Sequence, residues 1–66
     1  MTLTQAIHRA KQRAKATRSD RYVVWSIEDD DPPGEHYHVA TEDDFEGFYM
    51  GCTAACAITP EGTIEA

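Results

Sequence analysis

Residues 21–41 read RYVVWSIEDDDPPGEHYHVAT, a sequence typical of two β-strands joined by a loop. Residues 21–28 are rich in β-branched and aromatic side chains, which are enriched in strands. Residues 29–34 contain two prolines and a glycine and end the strand, because proline has no amide hydrogen to donate and glycine favours turns. Alternation resumes in residues 36–41, so this stretch predicts a hairpin with a long loop.

Alternate side chains of the first strand point to opposite faces of the sheet. Val23, Trp25 and Ile27 share one face, and Tyr22, Val24 and Ser26 share the other. We expect Trp25 to lie in the core.

A helix is predicted before the hairpin, over residues 2–17. Thr2 followed by Gln5 three residues later is the pattern of a capping box. Apolar residues then recur at helical spacing and form one narrow stripe, which comprises Leu3, Ala6, Ile7, Ala10 and Ala14.

A second capping box follows the hairpin, at Thr41 and Asp44, and we expect a helix from there to a stop at Gly51. Its apolar residues are Phe45, Phe48 and Tyr49. Residues 52–59 predict a third strand, and a turn at residues 59–62 returns the chain into a short edge strand at 63–65. The predicted order of elements along the chain is α-β-β-α-β-β. We therefore expect one α+β domain over residues 1–66, with a small antiparallel sheet and the helices packed on one face.

Charge is distributed unevenly along the chain. The net charge is −6, yet residues 1–21 contain all six Lys and Arg and a single acid, whereas residues 22–66 contain the other eleven acids and no Lys or Arg. Soluble proteins normally mix the two signs, so this asymmetry indicates a surface that meets a charged partner.

Most of these acids form two groups. One surrounds the hairpin loop and comprises Glu28, Asp29, Asp30, Asp31 and Glu35. The other lies at the start of the second helix and comprises Glu42, Asp43, Asp44 and Glu46. Turns favour Asp and helix N-termini favour acids, but these preferences explain one or two acids at each place and not the five and four found here. We therefore take all nine as candidate partner-binding residues.

Metal binding and catalysis are disfavoured by the placement of the reactive residues. His36 and His38 share one face of a strand, where we expect them to line the outer side of the hairpin. Cys52 and Cys56 have the spacing of a zinc-binding pair, but Cys56 lies inside an apolar run that would present a ligand poorly, and we expect two reduced thiols. The acids lie in places expected to be solvated, and no glycine-rich phosphate loop or nucleophile motif is present. We expect no enzymatic activity, no metal and no cofactor.

The basic first helix raises the alternative of direct nucleic-acid binding through phosphate contacts. The acidity of the rest of the chain opposes it, because the whole molecule would be repelled by nucleic acid. A solvated helix face is the preferred interpretation.

Dense carboxylates on a rigid surface can replace phosphates in a basic groove, because arginine forms the same two-pronged contacts with both groups. The length, the acidic stretch from Tyr22 to Ala66 without Lys or Arg and the single α+β domain resemble the small acidic anti-CRISPR proteins encoded by bacteriophages. As a whole the chain is similar to a type I-C inhibitor of this kind. The resemblance implies a DNA mimic that binds the type I Cascade complex and blocks target DNA binding. It carries no motif from which a residue role follows.

The partner implied is a host CRISPR type I effector subunit with a basic DNA-binding groove. In this chain, Tyr37 or Phe48 would supply an apolar anchor for that contact. We expect a monomer that binds no nucleic acid directly and no membrane. No apolar run approaches the roughly 20 residues that span a bilayer, and no secretory signal is evident, so we expect the cytoplasm of the bacterial host. The alternative is a protein–protein adaptor or antitoxin-like module that uses the basic first helix, at Arg9 or Arg13, or an edge strand, at Ile64.

Overall fold

The computed structural model describes residues 1–65. Its two helices are α1 (Leu3–Thr17) and α2 (Glu42–Glu46), and its strands are β1 (Arg21–Trp25), β2 (Tyr37–Ala40), β3 (Thr53–Ile58) and β4 (Ile64–Glu65). The strands form one antiparallel sheet in the order β2-β1-β3-β4. The α+β class and the order α-β-β-α-β-β predicted from the sequence are confirmed. Neither helix in this described part of the chain is long and apolar enough to cross a membrane.

Helix α1 begins at the predicted capping box. The Thr2 hydroxyl accepts a hydrogen bond from the Gln5 amide at 3.2 Å, and the Gln5 side chain accepts one from the Thr2 amide at 2.9 Å. These two bonds satisfy amide groups that a helix start leaves without partners. The helix ends at Thr17, and Arg18 takes a left-handed conformation with φ of 59°.

The main core lies between α1 and the sheet. Ala6, Ala10 and Ala14 are fully buried against Val23, Cys56 and Ile58. Small side chains on the helix allow its backbone to approach the sheet closely. The strand pairing places Val23 between Val39 of β2 and Cys56 of β3, with a bulge in the β1–β3 pairing after Val23.

Helix α2 packs against residues of β1 that are adjacent in sequence to the core residue Val23. The ring of Phe45 stacks on Tyr22 with 4.9 Å between centroids, and Val24 is fully buried on the same side. Because successive strand residues point to opposite faces, Tyr22 and Val24 lie opposite Val23. The sheet is therefore a middle layer with α1 on one face and α2 on the other, a detail in which the structure differs from the single-face packing that we expected.

The core assignment of Trp25 was wrong. Trp25 is 45% exposed and Ile27, beyond the end of β1, is 67% exposed. Trp25 is the last residue of β1, and α1 covers the centre of the sheet through a narrow stripe of alanines. The strand end is consequently left half open.

The second helix is shorter than predicted. It ends at Glu46, and the Gly47 amide donates to the Asp43 carbonyl at 2.9 Å. Glycine has a low helix propensity, and here the chain leaves the helix for a series of turns over residues 47–51. Those turns place Tyr49 against the sheet and leave Phe48 in solvent, with 76% of its surface exposed.

The edge strand β4 forms as predicted. The Gly62 amide donates to the Thr59 carbonyl at 2.9 Å, which closes a turn before β4. Gly62 has φ of +87°, a conformation that favours glycine.

Candidate functional site

The loop between β1 and β2 folds back over the sheet through two tight turns. The Asp31 amide donates to the Glu28 carbonyl at 3.1 Å, and the Glu35 amide donates to the Pro32 carbonyl at 3.0 Å. Gly34, with φ of +80°, completes the second turn. This path brings Glu28 and Asp31 above the side chains of β2.

His38 of β2 is the centre of this arrangement. Its Nε2 atom lies 3.0 Å from each of three oxygens, which are the Ser26 carbonyl, Asp31 Oδ2 and Glu28 Oε2. The position of His38 is fixed by its pairing with Val24 on β1. We call Glu28, Asp31, His36 and His38 the His–carboxylate cluster.

His36 approaches the same aspartate from a second direction. Its Nδ1 lies 3.3 Å from Asp31 Oδ2, and the Trp25 ring packs edge-on against the imidazole at 6.0 Å between centroids. One carboxylate oxygen of Asp31 therefore faces two imidazoles.

Asp31 and the two histidines of the cluster are substantially shielded from water, whereas the Glu28 side chain is 36% exposed. The Asp31 side chain is 11% exposed, and both imidazoles are mostly buried. Partial burial acts to raise the pKa of Asp31, but hydrogen bonds with His36 and His38, electrostatic attraction to His38 and a hydrogen bond from the Glu28 backbone together outweigh it. The net effect lowers the pKa of Asp31 below its ordinary 3.8, so this carboxylate is ionised at neutral pH.

Two expectations about these residues were wrong. We placed the histidines on the outer side of the hairpin and the loop carboxylates in solvent. Instead Asp31 turns inward onto His36 and His38, because the tight turn at Glu28 reverses the chain above β2. Asp29 and Asp30, at the tip of that turn, remain exposed as expected.

Tyr49 connects the cluster to α2. Its ring stacks on His38 at 6.0 Å between centroids, and its amide donates to the Asp44 carbonyl at 2.8 Å. Burial raises the pKa of Tyr49, as do the negative charges of Glu28, Asp44 and Asp31. Glu28 and Asp31 of the loop and Asp44 of α2 therefore lie on the same side of the sheet, close enough for their charges to influence the Tyr49 hydroxyl.

Helix α2 carries a set of exposed carboxylates, which we call the α2 acidic patch and which comprises Glu42, Asp43, Asp44 and Glu46. The capping box holds the first turn, with the Asp44 amide donating to the Thr41 hydroxyl at 3.1 Å and Asp44 Oδ2 accepting from the Thr41 amide at 3.4 Å. Within residues 1–65, no Lys or Arg nitrogen lies within 4 Å of a carboxylate oxygen of the α2 acidic patch or the hairpin loop.

Large apolar side chains flank the α2 acidic patch. Phe48 and Met50, in the turns that follow α2, are both more than three-quarters exposed. The Phe48 ring packs edge-on against Tyr49 at 4.8 Å between centroids, which limits its freedom. Phe48 is therefore available as the apolar anchor expected from the sequence, whereas Tyr37 packs against the main core.

A groove of about 260 Å³ runs beside the edge strand β2. Arg9 and Arg13 of α1 line it together with Arg21, and Asp44 and Tyr49 line its other side. The groove is the place where the basic helix and the acidic helix approach each other.

The cysteines take no part in the His–carboxylate cluster. Both are free thiols, and Cys56 is buried beneath α1, where burial raises its pKa. The donor set that does converge in the described residues is Glu28, Asp31 and His38. The sequence signal for it is a His-x-His pair on a strand that follows a carboxylate-rich turn.

No protein-family model matches the chain, and neither curated proteins nor solved structures yield a significant match.

Proposed function

We propose that the protein is an anti-CRISPR inhibitor that acts as a DNA mimic, binding the type I Cascade complex and blocking target DNA binding. The partner is a host effector subunit with a basic DNA-binding groove, and the inhibitor acts in the cytoplasm of the bacterial host. The protein is not an enzyme in this proposal, and its binding residues are carboxylates.

The observation that carries the proposal is the set of exposed carboxylates without a Lys or Arg partner at the hairpin tip and on α2. Asp29 and Asp30 supply the carboxylates of the hairpin tip, and the α2 acidic patch supplies the others. Carboxylates held near one another repel, and a groove rich in arginine relieves that repulsion while forming charge-assisted hydrogen bonds.

The α2 acidic patch is held on a fixed frame, as mimicry requires. The capping box at Thr41 and the stacking of Phe45 on Tyr22 hold α2 against the sheet. Pre-organised charges lose little freedom on binding, which favours affinity. Phe48 and Met50 beside the patch supply apolar contact that a purely ionic surface lacks.

The structure separates the carboxylates into two roles. Asp31 and Glu28 face the histidines, and Asp44 caps its own helix, so reversing the charge of any of them would disturb these local contacts as well as the surface charge. Asp29, Asp30, Glu42, Asp43 and Glu46 are exposed, and none of them appears in a side-chain hydrogen bond of the described structure. They are the residues through which binding is best tested.

The first test reverses the charge at the hairpin tip. The variant Asp29→Lys, Asp30→Lys is compared with the wild type for inhibition of target-duplex binding by a purified type I Cascade complex. We expect at least a roughly tenfold loss of inhibitory potency, because repulsion from a basic groove replaces attraction.

The matched control is Glu61→Lys, Glu65→Lys, which changes the net charge equally at the β3–β4 turn and on the opposite edge strand. It should retain nearly full inhibition, and circular dichroism should show that both variants fold. Equal inhibition by the wild type, by the hairpin-tip variant and by a variant neutralised on α2 would refute the proposal.

A second candidate function is a protein–protein adaptor that uses the basic helix or an edge strand. The groove lined by Arg9, Arg13 and Arg21 and the half-exposed Ile64 on β4 favour it. It predicts that Arg9→Ala with Arg13→Ala abolishes partner binding while the hairpin-tip variant does not. That pattern is the reverse of the one mimicry requires.

A further inference from the structure

The His–carboxylate cluster contains more hydrogen-bond acceptors than donors. Three oxygens lie 3.0 Å from His38 Nε2, yet a ring nitrogen carries at most one hydrogen. The Ser26 carbonyl and Asp31 Oδ2 therefore share or compete for that single hydrogen. A metal ion bound to this nitrogen would also have other ligand atoms about 3 Å from it, so the crowding is compatible with a metal site.

Glu28 provides an independent indication. Its Oε2 is sealed from solvent and accepts no hydrogen bond, although it lies 3.0 Å from His38 Nε2, because the contact is poorly aligned. A buried carboxylate oxygen without a partner is costly. A cation beside it would remove that cost.

From this geometry we propose that Glu28, Asp31 and His38 bind a divalent transition-metal cation, with Zn²⁺ as the representative ion. One ligand atom from each residue lies within 4.8 Å of the other two. Atoms bound about 2.1 Å from a metal are separated by about 3.0 Å at octahedral corners and about 3.4 Å at tetrahedral ones. The 3.0 Å separations of His38 Nε2 from Glu28 Oε2 and Asp31 Oδ2 match the octahedral value.

The chemistry of the donors selects the class of metal. An imidazole nitrogen favours zinc and its neighbours over magnesium or calcium, which prefer oxygen alone. Two carboxylates balance the charge of a divalent ion. His36, 3.3 Å from Asp31 Oδ2, is positioned to orient that ligand from outside the site.

Metal binding would join the hairpin loop to β2, because Glu28 and Asp31 belong to the loop and His38 to the strand. The exposed Asp29 and Asp30 between the two loop ligands would be held in place. The site does not depend on the identity of the protein's partner.

The test is calorimetric titration of the untagged protein with ZnCl₂ at neutral pH, together with the shift in its thermal midpoint. We expect one equivalent to bind and the midpoint to rise, because a ligand that binds only the folded state stabilises it. Glu28→Gln and His38→Gln should each weaken binding by at least about tenfold, a loss typical even of residues that only support a metal site. The matched control, His8→Gln on the exposed face of α1, should bind as the wild type does.

Three results would overturn the proposal. The first is that the wild type binds no zinc up to millimolar concentration. The second is that the His8→Gln and His38→Gln variants lose zinc affinity equally. The third is that a Cys52→Ser, Cys56→Ser variant loses zinc affinity while Glu28→Gln does not. Glu28→Gln preserves the shape of the side chain, so its circular dichroism spectrum should match that of the wild type and its binding can be interpreted directly.

Discussion

At the scale of single residues, His38 shows how a short strand acquires a chemical environment that its sequence does not display. Its neighbours in the chain are tyrosine and valine, but its contacts are Ser26, Glu28 and Asp31, brought together by the turns of the loop. The types of residue were visible in the sequence. Their convergence depended on which way the loop folded, and no local pattern fixes that direction.

The burial of Trp25 was mispredicted for a related reason. Alternation correctly placed it on the same face as Val23, but alternation does not say how far the covering helix extends. A stripe of alanines buries the centre of a strand and leaves its end open. How much of β1 is covered depends on where α1 lies on the sheet, so the pattern of β1 alone could not predict it.

Cys56 provides a prediction at this scale. Burial raises its pKa above the ordinary 9.0, so the folded protein favours the neutral thiol. The stabilising contribution of this thiol is present below pH 9.0 and is lost as pH rises through the higher folded value, because the unfolded chain ionises first. We expect the wild type to lose stability relative to Cys56→Ala as pH rises past 9.0, as measured by urea unfolding across pH.

A reactivity measurement checks the same feature. In the folded protein a thiol reagent should modify Cys52, which is half-buried in the turn before β3, and leave Cys56 unmodified until denaturant is added. Equal rates at the two thiols would contradict the burial of Cys56.

At the scale of elements, the helix starts were the most predictable features. Both capping boxes form at the predicted residues, because a Ser or Thr cap with its partner three positions later is a local interaction. The end of α2 was less predictable. Phe48 and Tyr49 extend the helical spacing of apolar residues beyond Gly47, but Tyr49 instead packs on His38, a contact distant in sequence.

The C-terminus of α1 yields a prediction. Arg18 is the only described residue other than glycine with positive φ, and a side chain in that conformation costs about 1 kcal/mol. Arg18→Gly should therefore raise the free energy of unfolding by about 0.5–1 kcal/mol, since glycine adopts the left-handed region readily. Denaturant unfolding measures the change.

The control for that change is Arg18→Ala, which removes the same positive charge but keeps the strain. It should show no comparable gain in stability. If alanine stabilises as much as glycine, the effect comes from charge, and the conformational explanation is wrong.

At the scale of the whole molecule, the sheet separates the basic residues of the first third of the chain from the acidic residues that follow them. Lys and Arg lie on α1 and in the segment up to Arg21, on one side of the sheet, whereas α2 and the loop acids near Tyr49 belong to the other. The groove beside β2 is where the two charges approach, and no ion pair closer than 4 Å forms there between the side chains that the structure describes. The acidic surface therefore remains available to a basic partner, which is the condition that the proposed mimicry requires.

Salt should weaken such an interaction. Screening shortens the range of exposed charges to about 8 Å at physiological ionic strength and further above it. A variant with Glu42→Gln, Asp43→Asn and Glu46→Gln should bind less tightly and show a smaller salt dependence than the wild type. The equally charged control with Asp20→Asn, Glu61→Gln and Glu65→Gln should keep the salt dependence of the wild type.

Competition for one groove is the most direct test of whether these carboxylates take the place of phosphates. Labelled target duplex is bound to a purified type I Cascade complex at increasing concentrations of the protein, and both ligands are followed. Mimicry predicts that the apparent Kd for DNA rises in proportion to the protein added and that no particle carries both. A complex that holds the protein and the duplex together, or DNA affinity unchanged at saturating protein, would contradict it.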